Sequence, residues 1–116
     1  MFYVYVLRCC DNSLYCGITT DVQRRFKEHQ SGGSLGAKYT RSHKPSHIEA
    51  VWSASDRAKA SVLEAFLKKL PRSLKESIVL NPDLLKERYS DKLKNYEYTY
   101  EPDIIINSAL TVPENM

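Results

Sequence analysis

Residues 2–19 read Phe2-Tyr-Val-Tyr-Val-Leu-Arg-Cys-Cys-Asp-Asn-Ser-Leu-Tyr-Cys-Gly-Ile-Thr19, two apolar runs on either side of the turn-forming Asp11-Asn-Ser13. Val, Ile, Tyr and Cys suit a pleated, half-buried surface, whereas Asp, Asn and Ser suit turns. The stretch therefore predicts a β-hairpin made of Phe2–Arg8 and Leu14–Thr19.

The two tyrosines of this hairpin, Tyr5 and Tyr15, share a face only for certain strand pairings, because side chains alternate along a strand. A three-residue loop at Asp11–Ser13 places both on one face together with Thr19, and a two-residue loop places them on opposite faces. Tyrosines in strands are usually packing residues, so a chemical role needs other functional groups beside them.

A helix follows, because Thr20-Asp-Val-Gln23 has the form of a capping box and Gly32-Gly33 is a stop signal. One face of this helix carries an i, i+3, i+4, i+7 series: Val22, Arg25, Phe26 and His29. Arg25 and His29 should therefore point toward the core or its edge. A guanidinium in such a place needs an anion, a carboxylate or open water in a cleft. The alternative is an internal ion pair for Arg25, with His29 as a packed polar residue.

The rest of the chain predicts a loop over residues 31–46, a third strand over 47–53 and a helix capped by Ser55-Asp56 and ended by Pro71. Further helices are expected over residues 72–79 and from Asn81-Pro82 to about residue 93. Alternating tyrosines over residues 96–100 and the apolar triplet 104–106 allow a late strand, and the last few residues are expected to fray.

This pattern predicts an α+β fold with a small three-stranded mixed or antiparallel sheet flanked by helices. Residues 1–79 should form one domain, and residues 80–116 a C-terminal extension packed on it or trailing it. Neither an apolar run long enough for a membrane span nor a signal-peptide pattern occurs, so a cytoplasmic protein is expected. The three cysteines lack a CxxC spacing and favour reduced thiols.

Glu64 lies beside the apolar seam of the predicted second long helix, on a stripe with Arg57, Ala60 and Lys68. One interpretation is an i, i+4 surface pair between Glu64 and Lys68, worth a few tenths of a kcal/mol. The other is a carboxylate that binds a metal ion in a basic groove.

The segment Gly36-Ala-Lys-Tyr-Thr-Arg41, continuing to His43-Lys44, mixes cations, an aromatic ring and a hydroxyl, as phosphate contact and base stacking require. The net charge of +3 divides into +7 over residues 1–75 and −4 over residues 76–116, which suits a polyanionic partner for the first part. The candidate nucleic-acid-binding residues are Arg24, Lys38, Tyr39, Arg41, Lys44 and Lys68.

The joint order of these residues is more specific than any one of them. Tyr5 and Tyr15 are separated by nine residues, Gly17 follows, and Arg25 and His29 come eight and twelve residues after Gly17. This order resembles the GIY-YIG nuclease superfamily. Residues 2–10 and 36–41 resemble its small bacterial single-domain members and the nuclease domain of the eukaryotic structure-specific endonuclease catalytic subunit. The resemblance covers residues 2 to about 79.

The chain departs from the family pattern at several positions. Tyr3 stands where the family has Gly, and Cys16 stands where it has Ile. Asn81 is only a candidate for a family asparagine, and Lys38 or Tyr39 for another family polar residue.

The resemblance implies a metal-dependent endonuclease that hydrolyses phosphodiester bonds, with DNA expected rather than RNA, in repair or recombination. It implies that Glu64 binds Mg²⁺ or Mn²⁺, and that Gly17 keeps the backbone clear for close approach. Tyr5 would take the proton of the attacking water, or position it, with support from Tyr15. Arg25 would stabilise the phosphoryl transition state, and His29 would position water or relay the proton.

Two other functions stay open at this point. A nucleic-acid-binding module with weak or lost nuclease activity would bind in a salt-dependent manner, whether or not Glu64 is replaced by Ala. A protein-interaction domain would use the acidic C-terminal segment to cover the basic face or to dock a partner, and would show no affinity for nucleic acid at moderate salt. A protein partner of the nuclease itself is also compatible with the sequence.

Overall fold

The computed structural model describes residues 1–110, with side chains over residues 1–106. Its strands are β1 (Phe2–Cys9), β2 (Leu14–Thr19), β3 (Pro45–Ala54) and β4 (Thr99–Tyr100), in the antiparallel order β2-β1-β3-β4. The prediction of three strands was therefore wrong by one. The additional strand is the short β4, which pairs with Trp52 and Ser53 of β3. It lies in the segment 96–100, whose alternating tyrosines allowed a late strand. The expected fraying of the last few residues lies outside the described part of the chain.

The hairpin pairs Tyr5 with Gly17 and Leu7 with Tyr15, which places both tyrosines on one face of the sheet with Thr19, the arrangement expected for a three-residue loop. Its loop is Cys10–Asn12, one residue earlier than expected, because Cys9 N donates to Ser13 O at 2.8 Å. The face is unchanged, since this moves the pairing by two residues and keeps the alternation.

The first helix, α1 (Val22–Ser31), ends at Gly32 in the left-handed region, as predicted, with φ of 69°. Its N-cap is Asp21 rather than Thr20: the Asp21 carboxylate accepts from the backbone N–H of Arg24. An N-cap side chain accepts from an amide two or three residues later. The Arg24 amide lies three residues after Asp21 but four after Thr20, so Asp21 is the residue that caps the helix.

Part of the predicted loop is helical. A short helix, α2 (Lys38–Ser42), occupies the segment that was predicted to be irregular over residues 31–46. Five residues carry too few turns for an apolar period to be visible, so packing rather than pattern establishes this helix.

The remaining helices are α3 (Arg57–Lys69), α4 (Arg72–Leu80), α5 (Leu84–Tyr89) and α6 (Pro102–Leu110), with a 3₁₀ turn at Asp91–Leu93. Asp56 caps α3 as predicted. The helix expected from Asn81-Pro82 to residue 93 is instead split into α5 and the 3₁₀ turn. The triplet 104–106 is helical, since Pro102 stands at the first position of α6.

The sheet separates two apolar layers. On one face Val4, Val6 and Trp52 pack with α3, α4 and α5, and Leu85 and Leu93 of the C-terminal segment join this core. The other face carries a smaller cluster of Tyr5, Leu7, Val22, Ile48 and Val51, against which Phe26 of α1 and two isoleucines of α6 pack. Within residues 1–110 no helix combines the length and apolar character needed to cross a bilayer.

Candidate functional site

The site is built around the Tyr5 side chain, which passes across Gly17 on the neighbouring strand. A Cβ at position 17 would lie 2.5 Å from Tyr5 Cζ and closer still to Oη. Only glycine leaves room for the phenol there. The close approach expected at Gly17 is thus made by the Tyr5 ring of the chain itself.

His29 meets Tyr5 from the last turn of α1. Tyr5 Oη and His29 Nε2 share a hydrogen bond of 2.8 Å, and the second ring nitrogen, Nδ1, lies 2.7 Å from Thr40 Oγ1. His29 is completely buried, Thr40 is 1% exposed and Tyr5 is 2% exposed. The three side chains form a buried polar chain that links the sheet, α1 and α2.

Burial keeps both rings uncharged near neutral pH. Burial, followed by the neighbouring Tyr15, raises the pKa of Tyr5 well above its ordinary value, although a hydrogen bond from Arg25 opposes this. Burial and then the Arg25 charge lower the pKa of His29 to about 4. Tyr5 is therefore a phenol, and His29 is a neutral imidazole with one free lone pair.

Arg25 is close enough to both rings to affect their pKa values, and 25% of its side chain is exposed. Its Nη1 donates to Glu28 Oε1 at 2.9 Å and to the carbonyl oxygen of Leu35. Of the partners that the sequence left open for Arg25, the structure shows a carboxylate, that of Glu28 one turn along the same helix, as in the alternative interpretation of an internal ion pair. This ion pair neutralises Arg25 in the free protein.

Aromatic rings continue from the buried pair toward the surface. The Tyr15 ring stands edge-on to His29 at 5.3 Å between centroids and stacks on Tyr39 at 5.7 Å and 20°. Tyr39 in turn stacks on His43 at 4.0 Å and 13°, and Asp11 holds the His43 ring by a hydrogen bond. This row, Tyr15–Tyr39–His43, is called the aromatic row below.

Glu64 belongs to α3, which packs on the sheet face opposite Tyr5. Its Oε2 lies 3.4 Å from Lys68 Nζ, so the i, i+4 pair of the first interpretation is present. Lys68 Nζ also lies 5.8 Å from the Tyr15 ring centroid, and the Glu64 charge acts to raise the pKa of Tyr5. The carboxylate is thus within electrostatic range of the Tyr5 hydroxyl.

Glu64 is the carboxylate that the sequence offers as a ligand for a divalent cation. Over the residues that the structure describes, no three His, Cys, Asp or Glu side chains converge as a metal site. Glu64 is one-quarter exposed and supplies hard carboxylate oxygens. That donor suits Mg²⁺ or Mn²⁺, which keep several waters and take further oxygens from a phosphate.

The predicted nucleic-acid-binding residues divide into two groups. Tyr39 and Lys68 contact Tyr15 directly. Exposed positions near α1 and α2 hold the others: Arg24, Lys38, Arg41 and Lys44. Arg24 is paired with Glu28 at 3.9 Å.

Asn81, the candidate for the family asparagine, is exposed at the end of α4. The Ile78 side chain of that helix packs on the sheet face opposite Tyr5. Among the residues that the structure describes, no hydrogen bond joins Asn81 to Tyr5, His29 or Thr40.

Two residues of the site were not predicted from the sequence. Thr40 was read as part of a polar loop, because nothing in the loop composition indicates a buried hydroxyl. Glu28 could have been found, since it lies three residues after Arg25 on the predicted helix and such pairs are neighbours.

The chain is similar to known proteins over most of its length. The family model described as the GIY-YIG catalytic domain matches residues 1–77. A UPF0213 protein of Fusobacterium nucleatum is 44% identical over 82 residues, 71% of this chain and 80% of that protein. A UPF0213 protein of Vibrio cholerae is 48% identical over 81 residues, 67% of this chain and 76% of that protein.

Among solved structures, the NMR structure of a UPF0213 protein from Bacillus halodurans has 46% sequence identity and a TM-score of 0.45, covering 69% of this chain and 84% of that one. The UPF0213 proteins are a small single-domain bacterial family. Because the matched model spans well over half of the chain and includes Tyr5, Tyr15, Arg25, His29 and Glu64, this protein belongs to the GIY-YIG family.

Proposed function

We propose that the protein is a divalent-metal-dependent endonuclease that hydrolyses phosphodiester bonds in DNA, with branched or nicked DNA in repair or recombination as its setting. The observation that carries this is the hydrogen bond between Tyr5 Oη and His29 Nε2, with Arg25 beside it. A phenol joined to a neutral imidazole can accept a proton from water without first becoming a phenolate. A guanidinium next to it suits the charge that develops on a phosphate.

The proton path follows from the states of the two rings. The raised pKa of Tyr5 disfavours a phenolate in the free protein. As the attacking water loses its proton to Tyr5 Oη, the Tyr5 proton passes to His29 Nε2. The water oxygen forms a bond to phosphorus, the bond from phosphorus to the leaving oxygen breaks, and His29 holds the proton as imidazolium.

Arg25 contributes charge to the same step. In the free protein Glu28 occupies one edge of its guanidinium. A phosphate that enters the cleft competes with Glu28 for these N–H donors and receives forked hydrogen bonds. The exchange makes the cation available only where a phosphodiester is bound.

Glu64 is the residue that would hold the metal ion. When bound, Mg²⁺ or Mn²⁺ neutralises charge on the phosphate and stabilises the leaving oxygen. Because the protein offers one carboxylate here, and Lys68 competes for it, metal affinity without nucleic acid should be weak. This metal requirement is the family's typical behaviour, carried to this chain through Glu64.

The exposed cations and the aromatic row bind the DNA strand. Lys38, Arg41 and Lys44 surround the row in sequence, which suits a strand whose phosphates meet cations while its bases stack. Binding should weaken steeply with salt, because each phosphate contact releases counterions.

The experiment is cleavage of labelled supercoiled, single-stranded and branched DNA, with Mg²⁺ or Mn²⁺ against EDTA. Wild type is compared with Glu64→Gln and with Glu87→Gln, the same chemical change on an exposed residue of α5. We expect metal-dependent cutting by wild type and Glu87→Gln, and loss of cutting in Glu64→Gln. Cutting that persists in EDTA or in Glu64→Gln would refute the metal assignment.

The alternative, a nucleic-acid-binding module with weak or lost nuclease activity, has its own outcome in the same experiment. Salt-dependent binding that is equal in all three proteins, without cutting under any condition, would replace the enzyme by that module. RNA of the same structures serves as a competitor and tests the expected preference for DNA.

A further inference from the structure

The Thr40 hydroxyl is the buried end of the polar chain that begins at Tyr5. Thr40 Oγ1 lies 3.0 Å from the carbonyl oxygen of Ala37 and 2.7 Å from His29 Nδ1, and the residue is 1% exposed. A hydroxyl has one hydrogen, so it donates to one of these two partners. The Ala37 carbonyl can only accept.

The direction of these hydrogen bonds determines which nitrogen of His29 carries its proton. If Thr40 donates to the Ala37 carbonyl, its oxygen accepts from His29 Nδ1–H. The second nitrogen, Nε2, is then bare and accepts from the Tyr5 hydroxyl at 2.8 Å. Each side-chain donor of Tyr5, His29 and Thr40 then has an acceptor.

The opposite assignment leaves a donor without an acceptor. There, Thr40 donates to Nδ1 and His29 Nε2–H donates to Tyr5 Oη. The phenol hydrogen would then have no partner among the described residues, inside a side chain that is 2% exposed.

One contact favours this opposite assignment: the backbone N–H of Ala37 points at His29 Nδ1. At 3.4 Å it is longer than the three other hydrogen bonds of the buried polar chain, which measure 2.7 Å (His29–Thr40), 2.8 Å (Tyr5–His29) and 3.0 Å (Thr40–Ala37). A weak contact is easier to give up than an orphaned hydroxyl in a buried site. The first assignment is therefore favoured.

We infer that Thr40 is a positioning residue that holds His29 in the Nδ1–H tautomer, so that Nε2 is available to take the proton of Tyr5. Its catalytic meaning rests on the proposed function, whereas the tautomer itself does not. In this arrangement α2 orients the base through the Ala37 carbonyl and the Thr40 hydroxyl, without touching the substrate.

The test is the ¹⁵N spectrum of the histidine rings, in which a protonated ring nitrogen and one that bears a lone pair resonate far apart. His29→Gln assigns the signal among the three histidines. We expect His29 of the wild type to show Nδ1 protonated and Nε2 bare. A wild-type spectrum with Nε2 protonated would overturn the inference, whatever the variants do.

Two matched variants separate the hydroxyl from the packing. Thr40→Ser keeps the hydroxyl and should keep the wild-type tautomer. Thr40→Val keeps the shape without the hydroxyl and should shift His29 to Nε2–H or to a mixture. A folded Thr40→Val protein with an unchanged tautomer would also overturn the inference. If Thr40→Val does not fold, the wild-type and Thr40→Ser spectra decide it.

The same variants distinguish failure of this inference from failure of the proposed function. In a cleaving protein, Thr40→Val should lower kcat roughly 10- to 100-fold with KM nearly unchanged, and Thr40→Ser should restore it. If the wild type cuts no DNA but shows the expected tautomer, the nuclease proposal fails and the Thr40 assignment stands. Equal loss of kcat in both variants would contradict a role for the hydroxyl.

Discussion

At the scale of the residue, the Tyr5 hydroxyl is held on three sides. Gly17 lies under its ring, His29 bonds its oxygen and Arg25 faces it from the cleft. Gly17 belongs to β2, whereas His29 and Arg25 both belong to α1, so the position of one oxygen atom depends on the hairpin and on α1 together. Residue changes here should therefore affect both stability and chemistry.

Gly17→Ala should displace the Tyr5 ring and break its bond to His29. We expect a loss of about 1–3 kcal/mol in the free energy of unfolding, since the new methyl group overpacks a buried site. Urea unfolding measures this. Gly33→Ala is the matched control, because its Cβ would meet only Ser31 Oγ, at 3.7 Å. Equal stability of the two variants would contradict the close packing of Tyr5 on Gly17.

His29 should make the protein sensitive to mild acid. Its pKa in the folded protein is about 4, below the ordinary 6.5, so the unfolded chain binds more protons between these values. The stabilisation is complete above pH 6.5 and is lost as pH falls toward 4, by roughly 3 kcal/mol. Unfolding free energies at pH 7 and pH 5 measure the slope. His29→Gln should show a much smaller difference, and an equal one would refute this origin.

Glu28 should weaken nucleic-acid binding, because it forms an ion pair with Arg25 in the free protein. Glu28→Gln removes this competition and one negative charge at the cleft, so affinity for single-stranded DNA should rise several-fold at low salt. Fluorescence anisotropy measures the change in Kd. Glu97→Gln, an exposed residue of the C-terminal segment, is the control. Weaker binding by Glu28→Gln would show that Glu28 positions Arg25 rather than opposes it.

The residues of the site differ in how far the sequence could predict them. Helical spacing alone predicted that Arg25 and His29 point toward the core or its edge. Strand alternation limited Tyr5 and Tyr15 to two arrangements, and the loop length, which the sequence left open, decides between them. Thr40 could not be found in this way. Its role depends on a contact between two helices, and local spacing carries no information about such contacts.

At the scale of the element, strong local patterns were predicted well. The hairpin, α1 and α3 have turn residues, caps and apolar periods that agree with one another. Short elements and segments with an ambiguous pattern were not predicted well. The helix α2 has only five residues, and the apolar triplet 104–106 suits a strand as well as a helix. Their structure is decided by packing against the sheet.

The attachment of α4 to the sheet depends on a charged clamp. Arg8 of β1 donates from Nη1 and Nη2 to the two carboxylate oxygens of Glu76, at 2.6 Å each, and to Glu49 of β3 at 2.8 Å. Hydrogen bonds from Arg8 keep the pKa of Glu76 below its ordinary value, so the clamp is charged at neutral pH. This pair is partly buried, which makes it stronger than a surface ion pair.

Glu76→Gln should therefore destabilise the fold by about 1–2 kcal/mol at pH 7, because Glu49 is then the one carboxylate that Arg8 keeps among the described residues. Arg72→Ala is the control on the same helix, since the exposed Arg72 lies 3.4 Å from Glu76. Thermal unfolding compares the two. A larger loss in Arg72→Ala than in Glu76→Gln would contradict the clamp.

At the scale of the whole molecule, the two faces of the sheet have different roles. The larger core under α3, α4 and α5 supports the sheet, and the face under α1 and α6 carries the polar chain and the aromatic row. The division of the chain at residue 79 stays a prediction. The described part of the extension contributes Leu85 and Leu93 to the larger core. Its acidic charge lies outside the basic part that holds the site.

The most direct test of the Tyr5–His29 pair is the single-turnover rate of DNA cleavage with Mg²⁺ in wild type, Tyr5→Phe and Tyr3→Phe. Tyr3 lies on the same strand and the same face, two residues from Tyr5, and so controls for loss of a phenol hydroxyl. We predict that Tyr5→Phe cuts at least about 100-fold more slowly with DNA affinity unchanged, while Tyr3→Phe cuts at the wild-type rate. Cleavage by Tyr5→Phe at the wild-type rate would contradict the proton path through Tyr5 and His29.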